Sequence, residues 1–199
     1  MSSNEPGKFT QFAELLARVG RELTAEKIPY MVFGGQAVLV YGEPRFTQDI
    51  DITLGIDPSS AAPLLTLVTR LGMEILVDNP EEFLRQTFVL PVRDAVTGIR
   101  LDLVFSLSEF EQDAIKRANE FTFGGVAVKF VTLDDLLIFK IIAGRLRDLE
   151  DVKGIVLKNP YYDREHVLHW LQSYDQELGE GFELRFLEVE AAINAVSRK

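Results

Sequence analysis

The sequence has 199 residues, 47% of them hydrophobic and 26% charged, a composition that can bury a core and keep the chain in solution. Its 21 basic and 31 acidic residues give a formal net charge of −10, which argues against nonspecific coating of nucleic acid but does not exclude an RNA end in a locally basic cleft. The absence of cysteine excludes disulfides, thiolate metal sites and cysteine nucleophiles. Because no signal core or membrane-length apolar run is present, we expect a cytoplasmic protein with no membrane partner.

Apolar residues at helical spacing predict the first helix, and short apolar or alternating runs broken by glycine and proline predict the strands. The predicted elements are helix 9–23, strand 30–33, helix 36–41, strand 49–54, helix 59–71, short helix 80–85, strands 88–92 and 99–105, helix 108–119, and a hairpin of strands 121–123 and 126–130.

The remainder of the chain is predicted to be helical. Thr132 with Asp135 three residues later resembles a capping box, and the helix that it starts is predicted to continue to about residue 156. Two further helices are expected over 163–174 and 181–196. The pattern predicts an α/β (α+β) fold with a mixed sheet followed by C-terminal helices, divided into a core of 1–155 and a helical appendage of 156–199.

Paired carboxylates stand in the strand DIDITL. Residues two apart in a strand project from the same face, so Asp49 and Asp51 point together while Ile50 and Ile52 face the core. Two neighbouring like charges need a compensating cation, and a magnesium ion bound by carboxylate oxygens is a usual solution. Such triplets are common, however, and a solvated acidic strand face is the alternative.

A third carboxylate, Asp102, lies in the predicted strand IRLDLVF with apolar residues on both sides. An aspartate in such a setting is rarely buried without a partner. If this strand lies beside 49–54, three carboxylates converge and can hold two metal ions for an in-line phosphoryl displacement. The alternative places Asp102 at a sheet edge, in water.

Gly34-Gly35 lies between a predicted strand and a predicted helix. Glycines there let the backbone approach a ligand, and the helix start offers N–H groups to phosphate oxygens, although most such pairs are only turns. Arg45 and Thr47 precede the acidic strand. They could bind substrate phosphate or order the loop, or equally be loop residues in water.

The run KIIAGRLRDLED places Lys140, Arg147 and Asp151 within about 40° of one another on a continuous helix. The surrounding helix is apolar on nearly every side, and a buried ammonium group needs an anion. A triphosphate or one of the three aspartates would serve. The alternative is a Lys140 that extends to solvent and an ordinary surface pair between Arg147 and Asp151.

In combination, Gly34-Gly35, Asp49-Ile50-Asp51 and Asp102 resemble the pattern of the DNA polymerase beta-like nucleotidyltransferase superfamily, over about 28–155. The closer likeness is to AbiE-type (AbiEii-like) toxin nucleotidyltransferases, which carry a KxxAxxxR helix followed by a further aspartate. Lys140, Ala143 and Arg147 match that helix, with Asp148 or Asp151 as the later acid; helical geometry favours Asp151.

The resemblance implies an enzyme that moves a nucleoside monophosphate from a nucleoside triphosphate such as ATP to an acceptor hydroxyl and releases pyrophosphate. Asp49 and Asp51 would hold the metals on the triphosphate, and Asp102 would complete the metal site that activates the acceptor. The implied cofactor is Mg²⁺, as two ions, with Mn²⁺ as a substitute. The implied nucleotide-binding residues are Gly34, Gly35, Arg45, Thr47, Lys140, Arg147 and Asp151.

Several questions stay open at the level of sequence. The acceptor is a tRNA end, a protein or a small molecule, and a toxin of this type would have a cognate antitoxin as partner. A catalytically silent nucleotide-binding or scaffold protein on the same fold is the alternative function.

Overall fold

The computed structural model describes residues 5–43, 47 and 49–197. Within them lie seven strands that join into one mixed sheet of order β3-β4-β5-β2-β1-β7-β6. The strands are β1 (Tyr30–Phe33), β2 (Asp49–Leu54), β3 (Met73–Ile75), β4 (Val89–Asp94), β5 (Arg100–Phe105), β6 (Asn119–Phe123) and β7 (Val126–Phe130).

Helices make up most of the rest of the described chain, with a single 3₁₀ turn at Pro58–Ser60. They are α1 (Glu5–Ala25), α2 (Gly34–Tyr41), α3 (Ala62–Arg70), α4 (Pro80–Thr87), α5 (Glu109–Arg117), α6 (Leu133–Ala143), α7 (Leu146–Lys158), α8 (Arg164–Leu178) and α9 (Phe182–Ser197). None of the described helices combines the length and apolar character needed to cross a membrane. The predicted α/β fold with C-terminal helices is confirmed.

Strand β2 lies inside the sheet, antiparallel to β1 and parallel to β5. Ile50 and Ile52 are fully buried, as the alternation of DIDITL predicts, because a strand with one apolar face packs that face against helices. The short strand β3 was not predicted. It contains only Met73, Glu74 and Ile75, and it pairs antiparallel with β4 at one edge of the sheet.

Backbone contacts divide the described residues into two compact units. The first takes its residues from 1–36 and 47–131 and contains the whole sheet, with α1 against β7 and α5 against β1 and β2. The second takes its residues from 37–46 and 132–199 and contains α6 to α9, which pack on one another. The boundary predicted at residue 155 lies within α7.

The prediction of one continuous helix from residue 132 to about 156 is wrong. Gly144 has φ +61°, a left-handed conformation that favours glycine, and its N–H donates to the Lys140 carbonyl to end α6. Arg145 is extended and starts α7. The guanidinium of Arg185, from α9, donates to the Ile141 carbonyl at 2.7 Å and occupies the space that a Cβ on Gly144 would need. A contact with a distant helix thus accompanies the break.

Candidate functional site

Three aspartates share one face of the sheet in the first unit. In the parallel pairing of β2 with β5, Asp51 is the register partner of Asp102, and Asp49 is the partner of Arg100. Register partners point to the same face, so the carboxylates of Asp49, Asp51 and Asp102 and the guanidinium of Arg100 project from one side. The strand of Asp102 thus lies beside that of Asp49 and Asp51, which is the condition under which the three carboxylates converge.

Gly34 lies directly against the Asp51 side chain. It follows Phe33, whose Cα is paired with that of Asp51 across β1 and β2, and it starts α2 with φ +63°. A Cβ built on Gly34 would overlap the Asp51 carboxylate. Glycine is therefore required here for two reasons, the left-handed backbone and the close approach. Gly35 follows in the first turn of α2.

Asp49 is held by two buried polar side chains. The Thr47 hydroxyl lies 3.1 Å from the Asp49 carbonyl oxygen and 3.2 Å from its Oδ1. The Gln36 amide donates to the same carbonyl oxygen at 3.4 Å. Thr47 is 9% exposed and Gln36 4%. Sequence reasoning missed Gln36; its position directly after the glycine pair was the available signal. Arg45 lies outside the described residues.

Asp102 has a cationic partner on its own strand. The Nε and Nη2 atoms of Arg100 both donate to Asp102 Oδ1, at 3.1 and 3.0 Å. The Asp102 side chain is 20% exposed, and β5 lies between β4 and β2, so the alternative of a sheet-edge position does not apply. Arg100 was not among the predicted site residues, although the period of two along a strand places it on the same face.

The second unit contains a buried cluster of charges. Lys140 Nζ lies 2.6 Å from Asp148 Oδ1 and 2.9 Å from Asp151 Oδ2. All three side chains are at most 10% exposed. Asp148 Oδ2 accepts no hydrogen bond from the described residues, and Arg145 Nε is 4.0 Å away. The anion that Lys140 requires is thus supplied by two carboxylates from the start of α7.

The predicted geometry of this region needs correction. The shared face of Lys140, Arg147 and Asp151 assumed a continuous helix, and the break at Gly144 removes that premise. Lys140 contacts both Asp148 and Asp151, whereas the geometry of a continuous helix favoured Asp151 as the later acid of the motif. Arg147 is exposed, while Lys140 is buried.

A family model described as nucleotidyltransferase of unknown function (DUF6036) matches residues 8–178, most of the chain. The chain belongs to the DUF6036 family of nucleotidyltransferases. No curated protein sequence matches it significantly.

Solved structures similar to this DUF6036 nucleotidyltransferase include other nucleotidyltransferases. An antigenic nucleotidyltransferase-like protein from Paracoccidioides brasiliensis is 15% identical with a TM-score of 0.56, covering 91% of this chain and 92% of that one. The antibiotic-resistance factor ANT(2'')-Ia is 15% identical with a TM-score of 0.52, covering 95% and 98%. JHP933 from Helicobacter pylori is 14% identical with a TM-score of 0.51, covering 95% and 92%. At these identities the similarity establishes the fold.

This DUF6036 protein supplies only some of the side-chain ligands that a metal ion needs. Among the residues that the structure describes, no group of three or more acidic or histidine side chains is placed to hold a metal ion. Asp49 and Asp51 alone match the one or two carboxylates that Mg²⁺ takes from a protein when substrate phosphates supply other oxygens. Asp102 is on the same face, but its Oδ1 is bound by Arg100. The two aspartates of β2 thus fit a magnesium site that a bound triphosphate would complete.

Proposed function

We propose that this DUF6036 protein transfers a nucleoside monophosphate from a nucleoside triphosphate to an acceptor hydroxyl and releases pyrophosphate. The acceptor oxygen forms a bond to the α-phosphorus, the bond from that phosphorus to the α–β bridging oxygen breaks, and the hydroxyl proton is lost. The observation that carries the proposal is the alignment of Asp49, Asp51 and Asp102 on one sheet face, with the Gly34 backbone against Asp51.

The residues of the aspartate face have separate proposed roles in binding the triphosphate. Asp49 and Asp51 would hold a Mg²⁺ ion, which when bound would supply positive charge to neutralise the phosphates of the triphosphate. The N–H groups at the start of α2, around Gly34 and Gly35, bind phosphate oxygens. Thr47 fixes the orientation of the Asp49 carboxylate, and its contacts support that role over direct phosphate binding.

Asp102 acts on the acceptor side. In the proposal it helps to activate the acceptor hydroxyl, and Arg100 holds its carboxylate in place until acceptor and triphosphate bind. The number of metal ions is part of the proposal, and the site geometry supports one ion at Asp49 and Asp51 more directly than two.

Lys140, Arg147 and Asp151 enter the proposal through the sequence resemblance. Arg147 is exposed, and only the sequence resemblance implies that it binds the triphosphate. The charge of Lys140 is already compensated by Asp148 and Asp151, which supports a role in shaping the start of α7. The likeness to AbiE-type toxins, a cognate antitoxin and a cytoplasmic location are proposals from sequence motifs and composition.

The proposal is tested by calorimetric titration of each of the four ribonucleoside triphosphates, with MgCl₂, into the wild type and an Asp49→Asn/Asp51→Asn variant. We expect one triphosphate to bind with a dependence on Mg²⁺ that the double variant loses. Asp113→Asn is the matched control, because Asp113 forms a surface pair with Lys116 and such pairs contribute little to stability. Equal binding by all three proteins would rule the site out.

A second experiment separates the enzyme from a catalytically silent nucleotide-binding protein. The preferred triphosphate, labelled at the α-phosphate, is incubated with fractions of small molecules, RNA and protein from a cell extract. An enzyme labels one fraction, and Asp102→Asn abolishes the labelling while leaving triphosphate binding unchanged. Binding without labelling of any fraction would favour the silent protein.

A further inference from the structure

Two arginines lie side by side on the face of the sheet that carries the three aspartates. Arg93 of β4 is the register partner of Arg100 of β5, and Arg100 is the register partner of Asp49 of β2. Register partners project from the same face, so Arg100 and Arg93 lie one and two strand spacings from Asp49, about 5 and 10 Å along one row. Both arginines are exposed. The row thus passes from a proposed metal-binding aspartate to two positive charges.

The residue after Arg93 independently identifies the face on which this arginine lies. Asp94 is fully buried and pairs with Arg18 of α1, so its side chain points to the side of the sheet on which α1 lies. Successive residues of a strand point to opposite faces. Arg93 therefore points away from α1, toward the aspartate face, and its exposure shows that this part of the face is open to solvent.

The positive charge of Arg93 has no anionic partner within the described residues. Its register partner on β3 is Glu74, and the two side chains form no ion pair. Arg100 donates to Asp102 Oδ1 through Nε and Nη2, and its Nη1 forms no hydrogen bond in the described part of the chain. Because like charges directly opposite each other in a sheet are destabilising, the two guanidinium groups together favour an anionic ligand.

The place of the arginines in the sheet indicates which substrate carries that anion. The N–H groups proposed to bind the triphosphate, at Gly34 and Gly35, follow β1, which pairs with one side of β2. The arginines lie beyond the other side of β2, on β5 and β4. Asp102, the proposed acceptor-side carboxylate, lies diagonally across from Arg93, about 7–8 Å away. The anion therefore belongs to the acceptor.

We propose that Arg93 and Arg100 bind a phosphate monoester group of the acceptor, and that the acceptor is a small phosphorylated molecule with a free hydroxyl. The inference rests on the proposed nucleotidyl transfer for its catalytic meaning. A phosphate monoester has three oxygens, enough for a forked pair of bonds from Arg93 and one bond from Arg100 Nη1, whereas a carboxylate has two. The net charge of −10 opposes a polyanion such as RNA more strongly than a single phosphate beside two arginines.

The probes for this site are glycerol 3-phosphate and uncharged glycerol. Each is titrated into ¹⁵N-labelled full-length protein without nucleotide, and the backbone amide and arginine Nε–Hε signals are followed. We expect glycerol 3-phosphate to shift the signals of Arg93 and Arg100, and glycerol to shift neither. Arg93→Gln removes the forked donor and should weaken glycerol 3-phosphate at least about tenfold, the effect of one lost charge-assisted hydrogen bond.

Arg21→Gln is the matched control for the loss of an exposed arginine. Arg21 belongs to α1, the helix from which Arg93 points away, and the variant should bind glycerol 3-phosphate as the wild type does. Wild-type binding of glycerol 3-phosphate by Arg93→Gln, or signal shifts confined to residues outside β4 and β5, would overturn the proposal.

Simultaneous binding tests whether the phosphate belongs to the acceptor or to the nucleotide. The titration is repeated with Mg²⁺ and the α,β-methylene analogue of the preferred triphosphate, which cannot transfer its nucleotide. We expect glycerol 3-phosphate and the analogue to bind together. Displacement of glycerol 3-phosphate by the analogue would assign the arginines to the nucleotide and overturn the proposal. A single-stranded RNA that shifts the Arg93 signal at low micromolar concentration would overturn the small acceptor in favour of a nucleic-acid end.

The triphosphate titration keeps this test separate from that of the proposed function. Asp49→Asn/Asp51→Asn should lose triphosphate and keep glycerol 3-phosphate, whereas Arg93→Gln should do the reverse. Failure of the arginine result alone would overturn this inference and leave nucleotidyl transfer intact with an acceptor of different chemistry. Failure of triphosphate binding alone would support the anion site and overturn its assignment to an acceptor.

Discussion

At Gly34 the left-handed backbone and the Asp51 carboxylate together fill the space that a side chain would need. The φ of +63° costs a residue with a Cβ on the order of 1 kcal/mol, and overlap with the carboxylate adds to that cost. Because the backbone cannot move without disturbing the β1–β2 pairing at Phe33, the carboxylate is the group that must shift. The position of Asp51 therefore depends on the residue that stands at 34.

We predict that Gly34→Ala lowers stability by about 1–3 kcal/mol and abolishes Mg²⁺-dependent triphosphate binding. Gly72→Ala is the matched control, because Gly72 has φ +68° but nothing within 4 Å of the added Cβ. That variant should show the backbone cost alone and bind triphosphate normally. Urea unfolding and calorimetric titration of both proteins make the comparison. Normal triphosphate binding by Gly34→Ala would contradict the close approach to Asp51.

Between elements, a buried aspartate ties the β4–β5 turn to α1. Asp94 is fully buried, accepts from the Thr97 N–H at 2.9 Å and the Thr97 hydroxyl at 2.6 Å, and pairs with Arg18. Burial raises the pKa of Asp94, but the hydrogen bonds from Thr97 and the charge of Arg18 outweigh it and hold the pKa below its ordinary value. The charged carboxylate is thus the form that stabilises this connection.

Because the pKa of Asp94 is lowered in the folded state, the contribution of its carboxylate to stability depends on pH. Stability from Asp94 is fully present above its unfolded pKa, about 3.9, and is lost as pH falls through the lower folded value. Asp94→Asn should therefore cost about 1–3 kcal/mol at pH 7 and less at pH 3. Urea unfolding of wild type and variant at both pH values measures the difference. A cost that does not shrink at low pH would contradict the charged pairing.

The junction of α6 and α7 is stabilised by the Lys140 cluster. Lys140→Met removes the ammonium group that pairs with the buried carboxylates of Asp148 and Asp151, and we predict a loss of about 3–5 kcal/mol. Adding Asp148→Asn and Asp151→Asn should recover part of the lost stability, because neutral amides replace the two carboxylates that repel each other. Lys116→Met, which breaks an exposed surface pair, should change stability by less than about 1 kcal/mol. Thermal unfolding followed by circular dichroism compares the proteins, and a Lys140→Met variant as stable as the control would contradict the buried cluster.

At the scale of the molecule, the acidic excess decides which partners approach. A net charge of −10 repels a polyanion, and counterion release, which drives nonspecific RNA binding, needs clustered basic residues. We predict that a fluorescent single-stranded RNA shows no change in anisotropy up to about 100 µM protein at physiological salt, a level at which basic RNA-binding proteins bind nonspecifically. Binding in the low micromolar range would favour a tRNA end as acceptor over a small molecule.

Local patterns in the chain were enough to predict which residues of β2 share a face and where the glycine pair lies. The two-residue period of a strand put Asp49 and Asp51 on one side, and the glycine pair followed from its place between a strand and a helix, because both signals depend only on near neighbours. The α/β class followed in the same way. The nucleotidyltransferase resemblance agrees with the family that the chain belongs to.

Contacts between residues far apart in the chain were outside the reach of those patterns. The pairing of Asp51 with Asp102 joins strands about fifty residues apart, and strand order depends on how the whole sheet packs. At the helix break, the guanidinium of Arg185 from α9 lies beside Gly144. The sequence around residue 144 gives no indication of that contact. The partners of Lys140 likewise depend on packing, since burial arises only when distant segments meet.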